Sequence, residues 1–169
     1  MPSKSVESLF ISLFELHREP LFRFLLRRTE ERELALDLVQ ESFHKVWMTL
    51  AKGDDIEYIK TYLYTTAIHL LIDHKRKKSA VSLDRLPEEF EQATSPADMT
   101  DHALDARSAY GMLTQLAAED RELLLLRYES GFSPREIARL YKQSANVISV
   151  RLHRAVKKYK MILKNSDLS

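Results

Sequence analysis

The chain has 169 residues, with 26 Lys and Arg against 25 Asp and Glu, so its formal net charge is only +1. Apolar residues make up 44% and glycines number three, which favours a helical core and disfavours both a turn-rich β architecture and a Gly-rich phosphate loop. Cysteine is absent, so disulfides, thiolate zinc sites and a cysteine nucleophile are excluded.

The N-terminus, MPSKSVESLFISLFELHREP, spaces its apolar residues with acids and bases. It reads as an amphipathic helix and not as a signal peptide. No stretch approaches the ~20 apolar residues that span a bilayer, so a cytoplasmic protein without membrane insertion is expected.

Val6, Leu9, Phe10, Leu13 and Phe14 fall at helical spacing, and Leu21, Phe24, Leu25 and Leu26 resume after Pro20, which marks a break or a kink. A second helix is predicted from Leu34, Leu38, Val39, Phe43, Val46, Trp47 and Leu50, ending near Gly53. A third follows, with Ile59, Tyr62, Leu63, Ala67, Leu70 and Leu71 on its apolar side. Three helices with short connections predict a compact bundle over residues 1–80.

Periodicity then fails. Between Ser82 and Asp101 stand six acids (Asp84, Glu88, Glu89, Glu91, Asp98 and Asp101) against the single base Arg85, with Pro87 and Pro96. Residues 81–102 therefore read as an acidic linker, with transient cover for a basic surface as a second reading.

Residues 103–169 form a second helical block. Leu104, Met112, Leu113 and Leu116 suggest one helix, and Leu123, Leu124, Leu126 and Tyr128 another, stopped at Gly131. SPRE follows, with Ser133 as N-cap, Pro134 at the first helical position and Glu136 placed for a capping box. After KQSAN a longer helix starts near Ser144, so the order is short helix, turn, basic helix: a helix-turn-helix. The fold class is all-α, two small helical domains: a three-helix bundle, and a four-helix domain carrying the helix-turn-helix.

From Gly131 to Lys164 nine bases face one acid, a local charge of +8 in a near-neutral chain. Such asymmetry suits nucleic acid. Val147, Ile148, Leu152, Ala155, Val156 and Tyr159 can face the core of the last helix. Asn146, Ser149, Arg151 and Arg154 are then candidates for base or near-base contacts, with Lys157 and Lys158 for phosphates and Ser144 as a further DNA-binding candidate. Lys142 occupies the turn where many such motifs have glycine.

A second basic run, Lys75, Arg76, Lys77 and Lys78, closes the third helix. Bases there complement the helix dipole. Preceded by Tyr58, Tyr62 and Tyr64, they also fit melted DNA, whose bases stack on aromatic rings while cations follow the backbone. His69 and Asp73 lie four apart beside His74, but no third ligand is evident for a metal, and no cofactor or catalytic set is expected.

Three stretches together resemble the extracytoplasmic-function group of bacterial RNA polymerase sigma factors. DLVQESFHKVW (37–47) resembles that family's polymerase-binding helix, YLYTTAIHLLIDHKRKK (62–78) its −10 melting segment, and the stretch 113–158 its −35 reader. The short linker leaves no room for the extra domain of larger sigma factors. The resemblance implies that Asp37, Gln40 and Glu41 meet the clamp helices of core RNA polymerase, supported by Val39 and Phe43. It implies that Tyr62, His69, Lys75, Arg76, Lys77 and Lys78 serve the −10 element, with the 53–57 loop near an unpaired base. The partners implied are core polymerase, promoter DNA and an anti-sigma factor or other protein regulator, and the protein itself catalyses nothing.

Two departures stand out. Where the family often has D-A-E-D before L-V-Q-E, this chain has Leu34, Ala35, Leu36 and Asp37, so two acids are leucines; Glu31 and Glu33 are candidates to supplement them. The family's usual R-N pair is Ile68 and His69 here, and Tyr62 stands where tryptophan is common. The alternative reading is a stand-alone helix-turn-helix regulator that binds its operator without polymerase.

Overall fold

A computed structural model describes residues 4–81 and 111–166; the acidic linker and the helix begun by Leu104 lie outside the described residues for most of their length. All regular structure among the described residues is α-helix, falling into two compact units. No helix among them is long and apolar enough to cross a membrane.

The first unit packs α1 (Lys4–Thr29), α2 (Arg32–Ala51) and α3 (Ile59–Val81) against one another. Pro20 sits inside α1 without ending it. A mid-helix proline costs about 3 kcal/mol, and the residues directly after it offset that cost, because Leu21, Phe22, Phe24 and Leu25 are all buried. They meet Leu38, Val39, Phe43 and Val46 of α2 and Leu63, Tyr64, Ala67 and Leu70 of α3 in one core. The Tyr64 ring stands edge-on to Phe24 with centroids 5.1 Å apart. Ser42, fully buried in α2, donates its hydroxyl to the Leu38 carbonyl at 2.6 Å, so its polar group is satisfied inside the core.

Tyr62 was expected on the apolar side of α3, but it is exposed and Tyr64 is buried in its place. Both fit a helical period within tolerance; packing against Phe24 decides between them. The α2–α3 connection turns at Gly53, whose φ of +87° favours glycine and whose N–H donates to the Leu50 carbonyl at 3.0 Å.

In the second unit residues 111–113 are helical, followed by α4 (Ala118–Tyr128), α5 (Pro134–Leu140) and α6 (Ala145–Ser166). Leu123, Leu124, Leu125 and Leu126 are all buried, so α4 is covered on every side over that turn. Tyr128, grouped with these leucines from the sequence, is instead 71% exposed. The rest of the core comes from Leu116, Phe132, Ile137, Ala138, Ile148, Leu152 and Ala155.

The entry to α5 is the capping box read from SPRE. Ser133 Oγ accepts from the Glu136 N–H at 3.3 Å, and Glu136 Oε2 accepts from the Ser133 N–H at 2.7 Å. The turn to α6 passes through Lys142 at φ +52°, the left-handed region that glycine adopts without strain. Beyond it the Gln143 N–H reaches back to the Ala138 carbonyl at 2.9 Å, and Ser144 Oγ accepts from the Val147 N–H at 3.2 Å to cap α6.

Candidate nucleic-acid and polymerase interface

In α6, Ile148, Leu152 and Ala155 are buried and Tyr159 is half-buried, so this stripe faces α4 and α5. At 100° per residue the opposite face carries Asn146, Val150, Arg154 and Lys157, all exposed. Ser149 is exposed on one flank, where its hydroxyl donates to the Ala145 carbonyl at 2.8 Å. Val147, expected in the core, is 45% exposed, because Ile148 takes the inward position and a residue one step earlier turns out past the edge. His153 joins the outer face as well and was not singled out from the sequence.

The candidate cations of α6 separate into two sets. Arg154 and Lys157 project from the outer face. Arg151 and Lys158, seven apart, lie on the flank nearest the start of α4. Arg151 Nη2 donates to Glu119 Oε2 at 2.7 Å and its Nη1 to Gln143 Oε1 at 3.4 Å. Lys158 Nζ donates to Asp120 Oδ2 at 2.5 Å. Ser144 has its capping task at the mouth of the helix. Four of the seven −35 candidates therefore have an intramolecular bond, and for Arg151 and Lys158 it runs to another helix, which spacing within one helix does not reveal.

Tyr58, in the turn just before α3, and Tyr62, His69, Asp73 and Arg76 on α3 follow one stripe, and each is exposed. The hydroxyls of Tyr62 and Thr49 are 3.2 Å apart. Because Thr49 Oγ1 gives its proton to the Lys45 carbonyl at 3.0 Å, the Tyr62 hydroxyl is the donor. That bond ties the phenol tip to α2. Lys75, Arg76, Lys77 and Lys78 do not act as one cluster, since 100° steps fan them around the helix end. Arg76 approaches Asp73 at 4.0 Å, and Lys78 crosses to Glu31 ahead of α2 at 3.2 Å. Among the described residues no group of three metal-ligating side chains occurs, and His69 and Asp73 stay two members of an exposed stripe.

On α2, Asp37, Gln40 and Glu41 are exposed on a common face, with Val39 and Phe43 buried behind them. Glu41 lies 3.7 Å from Lys45. Leu36 is 36% exposed beside this face and Leu34 is half-buried. Between α1 and α2, Phe10 and Phe14 pack edge-on against Phe43 and Trp47, which fixes the back of the same helix.

Comparison with known proteins meets this geometry in both units. Residues 13–81 match the model for sigma-70 region 2, and residues 106–158 match that for sigma-70 region 4. The chain is 25% identical over 166 residues to the RNA polymerase sigma factor SigV of Bacillus subtilis, covering 98% of each chain. It is 29% identical over 160 residues to the ECF RNA polymerase sigma factor SigL of Mycobacterium tuberculosis, covering 92% of this chain and 89% of that one. Among solved structures it resembles the sigma factor RpoE of Bartonella quintana, crystallised with the anti-sigma factor NepR, at 25% identity and a TM-score of 0.60 over 92% of this chain and 96% of that one. A stand-alone regulator would account for the second unit alone. With region 2 and region 4 present in one chain and in that order, the protein belongs to the extracytoplasmic-function group of RNA polymerase sigma factors.

Proposed function

We propose that the two units of this sigma factor form a two-point promoter clamp on bacterial core RNA polymerase in the cytoplasm. In this reading Asp37, Gln40 and Glu41 on the exposed face of α2 meet the polymerase. The Tyr58, Tyr62, His69 and Arg76 stripe, with Lys75, Lys77 and Lys78 around it, takes the melted −10 strand. Asn146, Ser149 and Arg154 enter the major groove of the −35 duplex, and Lys157 lies against phosphate. Arg151 and Lys158 contribute by holding α6 on α4 and reach DNA only by exchanging Glu119 and Asp120 for phosphates. Polymerase forms the phosphodiester bonds; the sigma factor supplies the address.

The observation that carries this division is the outward face of α6, where Asn146, Arg154 and Lys157 stand exposed behind a fully formed capping box and turn. An anti-sigma factor is a further proposed partner, supported by the complex in which the Bartonella quintana RpoE was crystallised. Run-off transcription with core polymerase across genomic promoters, with and without the protein, tests the reading. Initiation that depends on the protein at a defined promoter set is expected. Folded protein that produces none, while binding an operator tightly by itself, would sink it in favour of the stand-alone regulator.

A further inference from the structure

The front of α6 carries two valines that stay substantially exposed. Val147 is 45% exposed and Val150 42%. They are three apart, so their side chains are neighbours on the helix surface. β-Branched residues are middling helix formers, and at exposed positions Lys, Glu or Ala would suit the helix better. A single exposed valine would need no explanation. Here a pair sits among Asn146, Arg154 and Lys157, at the end of the helix that enters the groove and on the side turned from the core.

Duplex DNA offers one apolar feature on its major-groove edge, the C5 methyl group of thymine. Asn146 and Val150 are four apart and Arg154 four further on, so a helix end laid in the groove presents amide, methyls and guanidinium in succession. The cations around the pair point to a polyanion and not to an apolar protein groove as the occupant.

We propose that Val147 and Val150 are specificity-determining residues that read thymine, packing their methyl groups on the C5 methyl of one or two thymines in the −35 duplex. The inference rests on the promoter-clamp reading above and assigns base preference to two side chains that carry no charge and no hydrogen bond. Asn146 then reads a neighbouring base edge, while Arg154 and Lys157 set register on the backbone.

Deoxyuridine differs from thymidine by that methyl group alone, so it provides the test. Full-length protein on bacterial core polymerase is used to select duplexes from a pool randomised across the −35 region. Each thymine of the selected site is then replaced in turn by deoxyuridine. Wild-type protein is expected to lose roughly fourfold in affinity at one or two thymines, the effect of one methyl group withdrawn from apolar contact. The double variant V147A/V150A keeps the helix, binds thymine and deoxyuridine duplexes alike, and retains the wild-type dependence on salt. A selected site at which no thymine is methyl-sensitive overturns the proposal and leaves the promoter reading standing. The full deoxyuridine penalty persisting in the double variant does the same. If the pool yields no enriched duplex with or without core polymerase, the promoter reading falls and takes this inference with it.

Discussion

Arg151 on α6 and Glu119 at the start of α4 are joined at 2.7 Å, and one heptad further along Lys158 reaches Asp120 at 2.5 Å. The two acids lie in the first turn of α4, where negative charge also complements the helix dipole. These bridges draw two of the cations assigned to DNA from the sequence into the internal architecture of the unit. Lys157, next to Lys158, is exposed on the outer face of α6.

Neighbouring lysines should therefore behave differently. Lys157→Ala is expected to lower the salt dependence of promoter binding by about 0.9 in log–log slope, the signature of one lost phosphate contact. Lys158→Ala should change it by less, because its charge is already matched by Asp120. Equal changes in slope in a titration of holoenzyme against promoter duplex would mean that DNA breaks the Lys158 bridge on binding. For the fold, the Glu119 side chain is 68% exposed in its bridge, so Glu119→Ala should cost less than about 1 kcal/mol.

The capping box makes a stability prediction. Ser133 and Glu136 satisfy each other's backbone N–H at the head of α5, and Ile137 one residue on is fully buried. Ser133→Ala removes the hydroxyl acceptor and should destabilise the second unit by about 1 kcal/mol in chemical denaturation. Ser133→Asp keeps an acceptor at the cap and should recover most of that loss. No difference between the alanine and aspartate variants would show that the box contributes little.

Lys142 leads to a gain instead of a loss. At φ +52° its Cβ is strained, and glycine would adopt the same turn freely. Lys142→Gly is expected to stabilise the unit by about 0.5–1 kcal/mol, the relief of that strain less the greater freedom of glycine in the unfolded chain. Thermal unfolding checks the sign. A lower midpoint would mean that the Lys142 side chain contributes more in place than its backbone costs.

These cases mark what could be read in advance. The SPRE box, the turn at Lys142 and the three helices of the first unit were legible, because capping, turn chemistry and apolar period are local properties of the chain. The tyrosines of α3 and Val147 of α6 were not assigned correctly. One position along a helix rotates a side chain by 100°, and only the neighbouring helix decides which of two adjacent apolar residues turns inward. The Arg151–Glu119 and Lys158–Asp120 bridges join residues 32 and 38 positions apart, a separation at which sequence carries no pairing signal. The fan of Lys75 to Lys78 was hidden for a simpler reason: a run of like charge in sequence is not a patch in space on a helix.

Leu36 offers the last test, on the polymerase side. It is 36% exposed beside Asp37 and Gln40, whereas Leu34 is half-buried and so in part committed to the bundle. Glu31, a candidate to supply the missing negative charge, is held by Lys78 at 3.2 Å across an exposed bridge and can be drawn away at little cost. Leu36→Glu adds an acid to the exposed face without opening a cavity, and a well-placed rim charge at an interface is worth about two- to fivefold in affinity. Tighter binding of the variant to core polymerase, diminishing at high salt, is the expected outcome in a fluorescence titration. The matching change Leu34→Glu should show a lower unfolding midpoint as its main effect, since most of that side chain is covered. Unchanged or weaker affinity for Leu36→Glu, with an unaltered unfolding midpoint, would mean that the exposed leucine itself makes the contact and that apolar packing on the clamp has replaced charge at this position.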